Sequence, residues 1–146
     1  PQRSAAQAVA AIPAVTTGGA APDELQRYRT AIDLVLSKKD YVNAIVAFNQ
    51  YLGDFPSGRY AANSQYWLGE INLMQGDLEQ ARQRFALLLQ EHPESNKSAD
   101  ATYKLGLVYH LLGDAGKAQQ YLVQVAAGSG NAARLAAEYL AKHWPK

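Results

Sequence analysis

The histidines and acidic side chains are the residues of this chain best suited to chemistry. His92, His110 and His143 lie too far apart and too irregularly to form a spaced ligand motif, and the chain has no cysteine. Zinc and related ions are held by Cys, His and carboxylate groups at characteristic short spacings. Glu70 and Asp100 could be imagined as paired catalytic acids, but scattered carboxylates are ordinary on helix surfaces. The sequence therefore predicts no metal site, no cofactor and no enzyme.

A glycine-containing stretch from Gly113 to Ala118 has a faint likeness to a phosphate-binding loop. It lacks the spacing of that motif and the Ser or Thr after its lysine, and no strand precedes it. We interpret it as a turn at Gly113 followed by a helix cap at Asp114. The nucleophile motif Gly-x-Ser-x-Gly is also absent.

Composition narrows the class of partner. The chain has 146 residues and a formal net charge of +1, which gives no electrostatic reason to expect nucleic acid. It has no run of about eighteen apolar residues, so we expect no direct membrane insertion.

The lack of cysteine fits a reducing or an oxidising compartment equally. The chain opens with Pro1, which suggests a processed product or an excised fragment.

Equivalent residues recur along the chain at a constant spacing of 37 positions. The recurring positions hold a small residue, a large apolar residue and an aspartate, namely Ala44, Ala81 and Ala118; Phe48, Phe85 and Leu122; and Asp40, Asp77 and Asp114. A fixed period of about 20 to 50 residues is typical of stacked repeat proteins. Such folds offer an extended concave surface, usually to another polypeptide. The repeat therefore favours a binding module.

The chain divides into two parts of different composition. Residues 1–22 are rich in Ala, Pro, Thr and Gly, and we predict a disordered low-complexity linker because such a segment buries too little apolar surface to order itself. A short alanine-rich helix over Ser4–Ala11 is the alternative. Residues 23–146 carry helical apolar spacing, and no segment has the pattern of a strand. We predict repeats at about 23–56, 58–93 and 96–128, then a capping helix at 131–143.

Polar residues and glycines mark the expected helix ends. Asp23, Asp77 and Asn131 are placed to cap helices with their side chains. Gly76 can supply the left-handed turn before Asp77. The third helix is expected from about Gly58 to Gln75.

The repeats resemble the tetratricopeptide repeat, whose residue order is an aromatic, Leu-Gly, Tyr, Ala, Phe and Pro. The second repeat follows this order with Leu68-Gly69, Ala81, Phe85 and Pro93. The third repeat has Leu105-Gly106, Tyr109 and Ala118, with Leu122 in place of the Phe. The first repeat has Ala31-Ile32 in place of Leu-Gly but keeps Ala44, Phe48 and Pro56. The period exceeds the usual length of about 34 residues, so we expect longer connections between repeats. The resemblance implies an all-α tetratricopeptide-repeat solenoid of three helix-turn-helix repeats plus a C-terminal capping helix.

Two stretches carry a more specific likeness. The run Tyr66-Trp67-Leu68-Gly69-Glu70, and the linker from Pro93 to Ala101 with Lys104-Leu105-Gly106 after it, resemble the C-terminal domain of the YbgF family, also called CpoB, of the Tol–Pal system. The resemblance covers about residues 23 to 142. It implies a non-catalytic adaptor in the periplasm of a Gram-negative bacterium. Such an adaptor binds TolA and coordinates outer-membrane constriction with septal peptidoglycan synthesis in cell division.

The same resemblance implies further partners and an assembly. A peptidoglycan synthase complex is a second candidate partner. Oligomers would form through a coiled coil upstream of this chain. Residues 1–22 would then be the end of the linker between that coiled coil and the repeats.

In a helix-pair solenoid the first helix of each pair lines the concave face, and its residues not used for packing are candidates for binding. That set is Arg29, Asp33, Asn63, Tyr66, Trp67, Glu70, Asp100, Tyr103, Lys104, Leu107 and His110. Tyr and Trp are frequent interface anchors. Trp67 could equally lie in the core between repeats, and Glu70 and Lys104, each taken alone, could be solvated charges. Tyr66 and Glu70 stand where a clamp for an acidic C-terminal tail needs basic residues, so a helical or extended peptide segment is expected instead.

Two other functions remain open. The chain could be a structural subunit of a permanent envelope assembly, such as an outer-membrane lipoprotein complex built from the same repeats. A lipid-anchored member would need a cysteine near its mature N-terminus. The chain could also be the recognition domain of an enzyme, which would require a catalytic domain elsewhere.

Overall fold

The computed structural model describes residues 22–146, and within that range it contains seven α-helices and no strand. The helices are α1 (Pro22–Leu36), α2 (Tyr41–Asp54), α3 (Ala61–Met74), α4 (Leu78–Glu91), α5 (Ser98–Leu111), α6 (Ala115–Ala126) and α7 (Asn131–His143). Short turns join the helices in pairs, and α7 follows alone. The all-α prediction is confirmed. Across residues 22–146, every helix is too short or too polar to cross a bilayer.

The helices fall into two compact units. Unit 1 ends at Ser64 and contains α1, α2 and the first turn of α3. Unit 2 runs from Gln65 to Lys146 and contains the rest. Within unit 1, α1 packs against α2; within unit 2, α4 packs against α5, α5 against α6, and α7 against both α5 and α6.

The turn inside each helix pair is built the same way. The side chains of Asp40, Asp77 and Asp114 each accept a hydrogen bond from a backbone N–H three residues on, at 3.1, 3.4 and 3.0 Å. Each bond satisfies one of the N–H groups that a helix leaves free at its start. Gly76 and Gly113 precede two of these caps with φ of 79° and 91°. The predicted left-handed turn and the caps at Asp77 and Asp114 are confirmed.

The first pair departs from this pattern at one residue. Lys39 occupies the position of Gly76 and Gly113 and has a φ of 54°. A side chain in this left-handed region crowds its own carbonyl group, at a cost of about 1–2 kcal/mol. The first turn therefore carries a strain that the other two avoid.

We expect Lys39→Gly to raise the free energy of unfolding by about 0.5–1 kcal/mol, since relief of the strain is partly offset by the greater freedom of glycine in the unfolded chain. Urea denaturation measures the gain. The reciprocal control is Gly76→Lys, which should cost about 1–2 kcal/mol. A β-carbon at Gly76 would meet nothing within 4 Å, so that cost is conformational. Equal stability of Lys39→Gly and the parent would contradict the assignment of strain.

In unit 2, a glycine of one helix lies against a large side chain of the next. A β-carbon added to Gly69 would lie 2.6 Å from Cε1 of Phe85, and one added to Gly106 would lie 2.7 Å from Cγ of Leu122. Both Phe85 and Leu122 are fully buried. The two helices of each of these pairs therefore approach one another closely at the glycine.

In unit 1, a buried carboxylate joins α1, α2 and the loop before α3. Oε2 of Glu24 accepts hydrogen bonds from the Tyr51 hydroxyl and from the backbone N–H of Arg59, both at 2.6 Å. The Tyr51 hydroxyl accepts a third bond from the backbone N–H of Tyr60, at 2.8 Å. Burial and the hydrogen bond to the carboxylate raise the pKa of Tyr51. Gly58 packs directly on this network and leaves no room there for a side chain.

Two predicted helix caps, Asp23 and Asn131, and one predicted helix start, at Gly58, are wrong. Because α1 begins at Pro22, Asp23 lies inside its first turn, where its carboxylate pairs with Arg27 at 3.2 Å. Helix α3 begins at Ala61 and not at Gly58, because the residues before it form the turn that Glu24 holds. Asn131 is the first residue of α7, and its cap is Gly130, with a φ of 97°.

The predicted linker lies outside the described residues except for Pro22, at which α1 begins. The alternative helix over Ser4–Ala11 lies wholly outside them. The predicted boundaries of the domain and its repeats stay predictions.

Candidate functional site

Two candidate charges form an ion pair between α3 and α5. Nζ of Lys104 lies 3.1 Å from Oε1 of Glu70, and the two side chains are 23% and 21% exposed. Glu70 and Lys104 are therefore not two separate solvated charges, because the two helices bring them together in a partly buried setting. A pair with this little exposure is screened less by salt than one on an open surface.

Tyr66 lies beside this pair and extends it into an aromatic surface. Its hydroxyl donates a hydrogen bond to Oε2 of Glu70 at 3.3 Å, and Nζ of Lys97 lies 4.8 Å from its ring centroid. Its ring also meets Trp67 and Phe85 edge-on, with centroids 6.4 and 5.7 Å apart. Burial raises the pKa of Tyr66, and the charges of Glu70 and Asp100 add to that effect. Tyr66 is thus half-buried and part of the packing as well as of the surface.

The remaining candidates on α5 combine packing with exposure. Asp100 lies 3.9 Å from Nζ of Lys97. Tyr103 and Leu107 are partly buried and pack against the apolar core formed by α6 and α7. Burial raises the pKa of Tyr103, and so does the charge of Glu138 on α7. The α5 residues therefore connect the α3 side of unit 2 with α7.

His110 ends this series in a group of aromatic rings. Its Nδ1 is hydrogen-bonded to the Tyr139 hydroxyl at 2.6 Å. Its ring centroid lies 5.0 Å from that of His143 and 4.6 Å from that of Trp144. We call His110, Tyr139, His143 and Trp144 the C-terminal aromatic cluster. Tyr139, His143 and Trp144 are not among the binding residues predicted from the sequence, because the prediction gives α7 only the role of capping the repeats. The four-residue spacing of Tyr139 and His143, which places both on one side of the helix, is the signal that could have identified them.

Two side chains of this cluster, His143 and Tyr139, have shifted pKa values. The pKa of His143 is held below its ordinary value by the protein atoms that displace water from it, and then by His110 and Lys142 nearby. Burial raises the pKa of Tyr139. Both shifts favour the uncharged forms of these two side chains.

Three candidates lie in unit 1, and Trp67 lies against Tyr66 in unit 2. Arg29 and Asp33 are exposed, and Asp33 faces Nζ of Lys38 at 3.7 Å. The Asn63 amide donates to the Tyr28 hydroxyl at 3.4 Å. Trp67 is partly buried. Its burial alone does not decide between the two positions expected for it, one in the core and one in the groove. The role of these residues in binding stays a prediction.

In residues 22–146, no group of three or more His, Asp or Glu side chains is placed to hold a metal ion. What unit 2 does bring together is a row of groups from α3 through α5 to α7, all partly buried except the exposed His143. We call this row the α3–α5–α7 face. Its members are Tyr66, Glu70, Lys97, Asp100, Tyr103, Lys104, Leu107 and the C-terminal aromatic cluster. Aromatic rings beside paired charges can bind a polypeptide segment.

Comparison with known proteins gives one family and a small group of relatives. Residues 21–140 match the family described as YfiO, outer membrane lipoprotein. The cell division coordinator CpoB of Pseudomonas putida KT2440 is 50% identical over 52 residues, which make up 36% of this chain and 19% of that protein. The CpoB of Escherichia coli K12 is 40% identical over 45 residues, which make up 31% of this chain and 17% of that protein. The matched stretches thus span less than a fifth of these relatives.

Among solved structures, the crystal structure of the nearly identical TPR-like repeats of a kinesin light chain from Podosopora anserina has a TM-score of 0.60 to this chain. The likeness covers 96% of this chain and 66% of that one, at 14% sequence identity. At that identity it concerns the fold alone, and it confirms an all-α solenoid of helix-turn-helix repeats. The relatives named CpoB confirm the resemblance to the YbgF family that the repeats carry.

Proposed function

Because the chain belongs to the YfiO outer membrane lipoprotein family and is built from helix-turn-helix repeats, we propose that it is a non-catalytic adaptor that binds another polypeptide. The observation that carries the proposal is the α3–α5–α7 face. There the partly buried Glu70–Lys104 pair lies beside Tyr66. A partner bound to this face would exclude the remaining water from Glu70 and Lys104, whose charges already neutralise one another.

In this proposal the adaptor acts in the cell division of a Gram-negative bacterium. The relatives named cell division coordinator CpoB support that setting. The resemblance to the YbgF family further supports a periplasmic location, the Tol–Pal system and a periplasmic segment of TolA as the partner. A peptidoglycan synthase complex is proposed as a second partner. Arg29, Asp33 and Asn63 are proposed as additional contacts made by unit 1.

Isothermal titration of the full chain with the periplasmic segments of TolA tests the proposal. We expect saturable binding that Lys104→Glu weakens by roughly tenfold or more, since this change sets two carboxylates against each other in a partly buried site. The double variant Glu70→Lys with Lys104→Glu restores an ion pair and should recover part of the loss. Lys117→Glu makes the same charge change at an exposed position of α6 and should leave binding unaltered. If no segment binds, TolA is not the partner; if Lys104→Glu binds normally, the α3–α5–α7 face is not the site.

The family description favours one second candidate, a permanent subunit of an outer-membrane assembly. An adaptor and a subunit differ in how long they stay bound. Purification from the envelope fraction in mild detergent separates the two candidates. A constant ratio to other outer-membrane proteins through a salt wash would indicate a subunit. Release of the chain by the same wash would indicate an adaptor.

A further inference from the structure

The rings of the C-terminal aromatic cluster are packed directly on one another. The centroids of Tyr139 and His143 lie 4.1 Å apart, and those of Tyr139 and Trp144 lie 6.2 Å apart, with the planes inclined at 33° and 51°. Rings in such contact leave no room between them for a ligand. What they offer is a continuous outer surface, of which Tyr139 and Trp144 are partly exposed and His143 is exposed.

Packing against the buried core fixes the rings of this surface in position. Tyr139 and Trp144 pack against the buried core of Leu122, Val125, Ala132 and Ala136. The hydrogen bond between Tyr139 and His110 satisfies polar groups that would otherwise need water. A rigid aromatic surface loses little side-chain entropy on binding and is therefore typical of an interface anchor.

The charges around the cluster give the chemistry of its ligand. The neighbouring carboxylate of Glu138 is paired with Arg134 at 3.0 Å. Lys142 lies next to His143 in sequence and lowers the pKa of that residue, yet it forms no ion pair with any residue in 22–146. A cation without an ion-pair partner among these residues thus borders an aromatic surface.

We propose that the C-terminal aromatic cluster is an anchor site for one large apolar side chain of the partner, with an acidic residue next to it that pairs with Lys142. The proposal rests on the proposed function, since it assumes a polypeptide ligand. It assigns the main apolar contact to Tyr139 and Trp144, on α7 and directly after it. It assigns the choice of flanking residue to Lys142.

Short peptides test the anchor site without any assumption about the partner's identity. The probes are N-acetylated, C-amidated pentapeptides, Gly-Glu-Trp-Gly-Gly, Gly-Lys-Trp-Gly-Gly and Gly-Glu-Ala-Gly-Gly. The readout is the imidazole NMR signals of His110 and His143 in the full chain at low salt. We expect the Glu-Trp peptide to shift both signals and saturate in the millimolar range. It should bind roughly two- to fivefold tighter than the Lys-Trp peptide, as one exposed ion pair allows, and the alanine peptide should have no effect.

Substitution of Lys142 provides the decisive variant, because this side chain is exposed and its replacement should leave the fold intact. Lys142→Glu should reverse the preference, so that the Lys-Trp peptide binds tighter. Lys117→Glu on α6 is the matched control and should leave the preference unchanged. Trp144→Phe should keep binding, and Trp144→Ala should abolish it.

Each result bears on one proposal. Unshifted histidine signals, or a preference unaffected by Lys142→Glu, would overturn the anchor site. Peptide binding together with failure of every TolA segment would overturn TolA as the partner and leave the anchor site standing.

Discussion

Phe85→Ala is expected to lower the free energy of unfolding by about 3–5 kcal/mol, the usual cost of removing a fully buried phenylalanine. The ring lies in the close approach of α3 and α4, against Gly69, and it also meets Tyr66 edge-on. Gly69 has no side chain with which to fill the space that the ring leaves, so the cavity cannot collapse easily. Chemical denaturation followed by far-UV circular dichroism measures the loss.

The matched control for this cavity lies one repeat further on. Leu122→Ala removes the side chain that faces Gly106 and should cost about 2–5 kcal/mol. Gly69→Ala approaches the same contact from the other side and should be destabilising despite alanine's better helix propensity, because its β-carbon meets the ring at 2.6 Å. A loss below about 1 kcal/mol for Phe85→Ala, well under the usual range, would show that the described contact does not hold these helices together.

Glu24→Ala is expected to lower the free energy of unfolding by about 2–4 kcal/mol. The change leaves the Tyr51 hydroxyl and the backbone N–H of Arg59 without their acceptor, and each unsatisfied buried donor costs about 1–3 kcal/mol. Thermal and urea denaturation of the full chain provide the measurement. Glu24→Gln keeps one acceptor oxygen and should lose less.

The neighbouring Asp23 supplies the comparison for Glu24. It is an exposed acid in the same helical turn, and its salt bridge to Arg27 should be worth less than about 1 kcal/mol. Equal losses for Asp23→Ala and Glu24→Ala would mean that the buried network contributes nothing beyond a charge at the helix start. Tyr51→Phe, which removes one donor and one acceptor, should fall between the two.

Periodicity is sufficient to predict the repeated parts of this fold. The caps at Asp77 and Asp114 recur because the turn inside each pair of helices is built the same way. The contact of Gly69 with Phe85 recurs in the next pair as that of Gly106 with Leu122, but the first pair has Ile32 in place of the glycine. The Glu24 network cannot be predicted in this way, since it joins residues 27 and 35 positions apart and has no equivalent in the other repeats. It also explains why α3 begins later than the apolar pattern suggests.

The candidate site can be predicted from the sequence in its composition but not in its connections. Helical spacing selects both Glu70 and Lys104, but their pairing depends on how two helices are placed and on side-chain conformations that spacing does not report. Tyr139, His143 and Trp144 escape prediction because α7 follows a loop that breaks the 37-residue period, so no equivalent positions point to them.

The two glycine contacts of unit 2 have a consequence for how such a chain can change over generations. Gly69 accepts a flat ring at Phe85, while Gly106 accepts a branched aliphatic side chain at Leu122. A change at one member alone leaves a void or a clash, whereas a change at both members can be silent. The two codons of each contact are therefore expected to be inherited and to change together. A helix moved from one repeat to the other would place its residue against the wrong partner side chain.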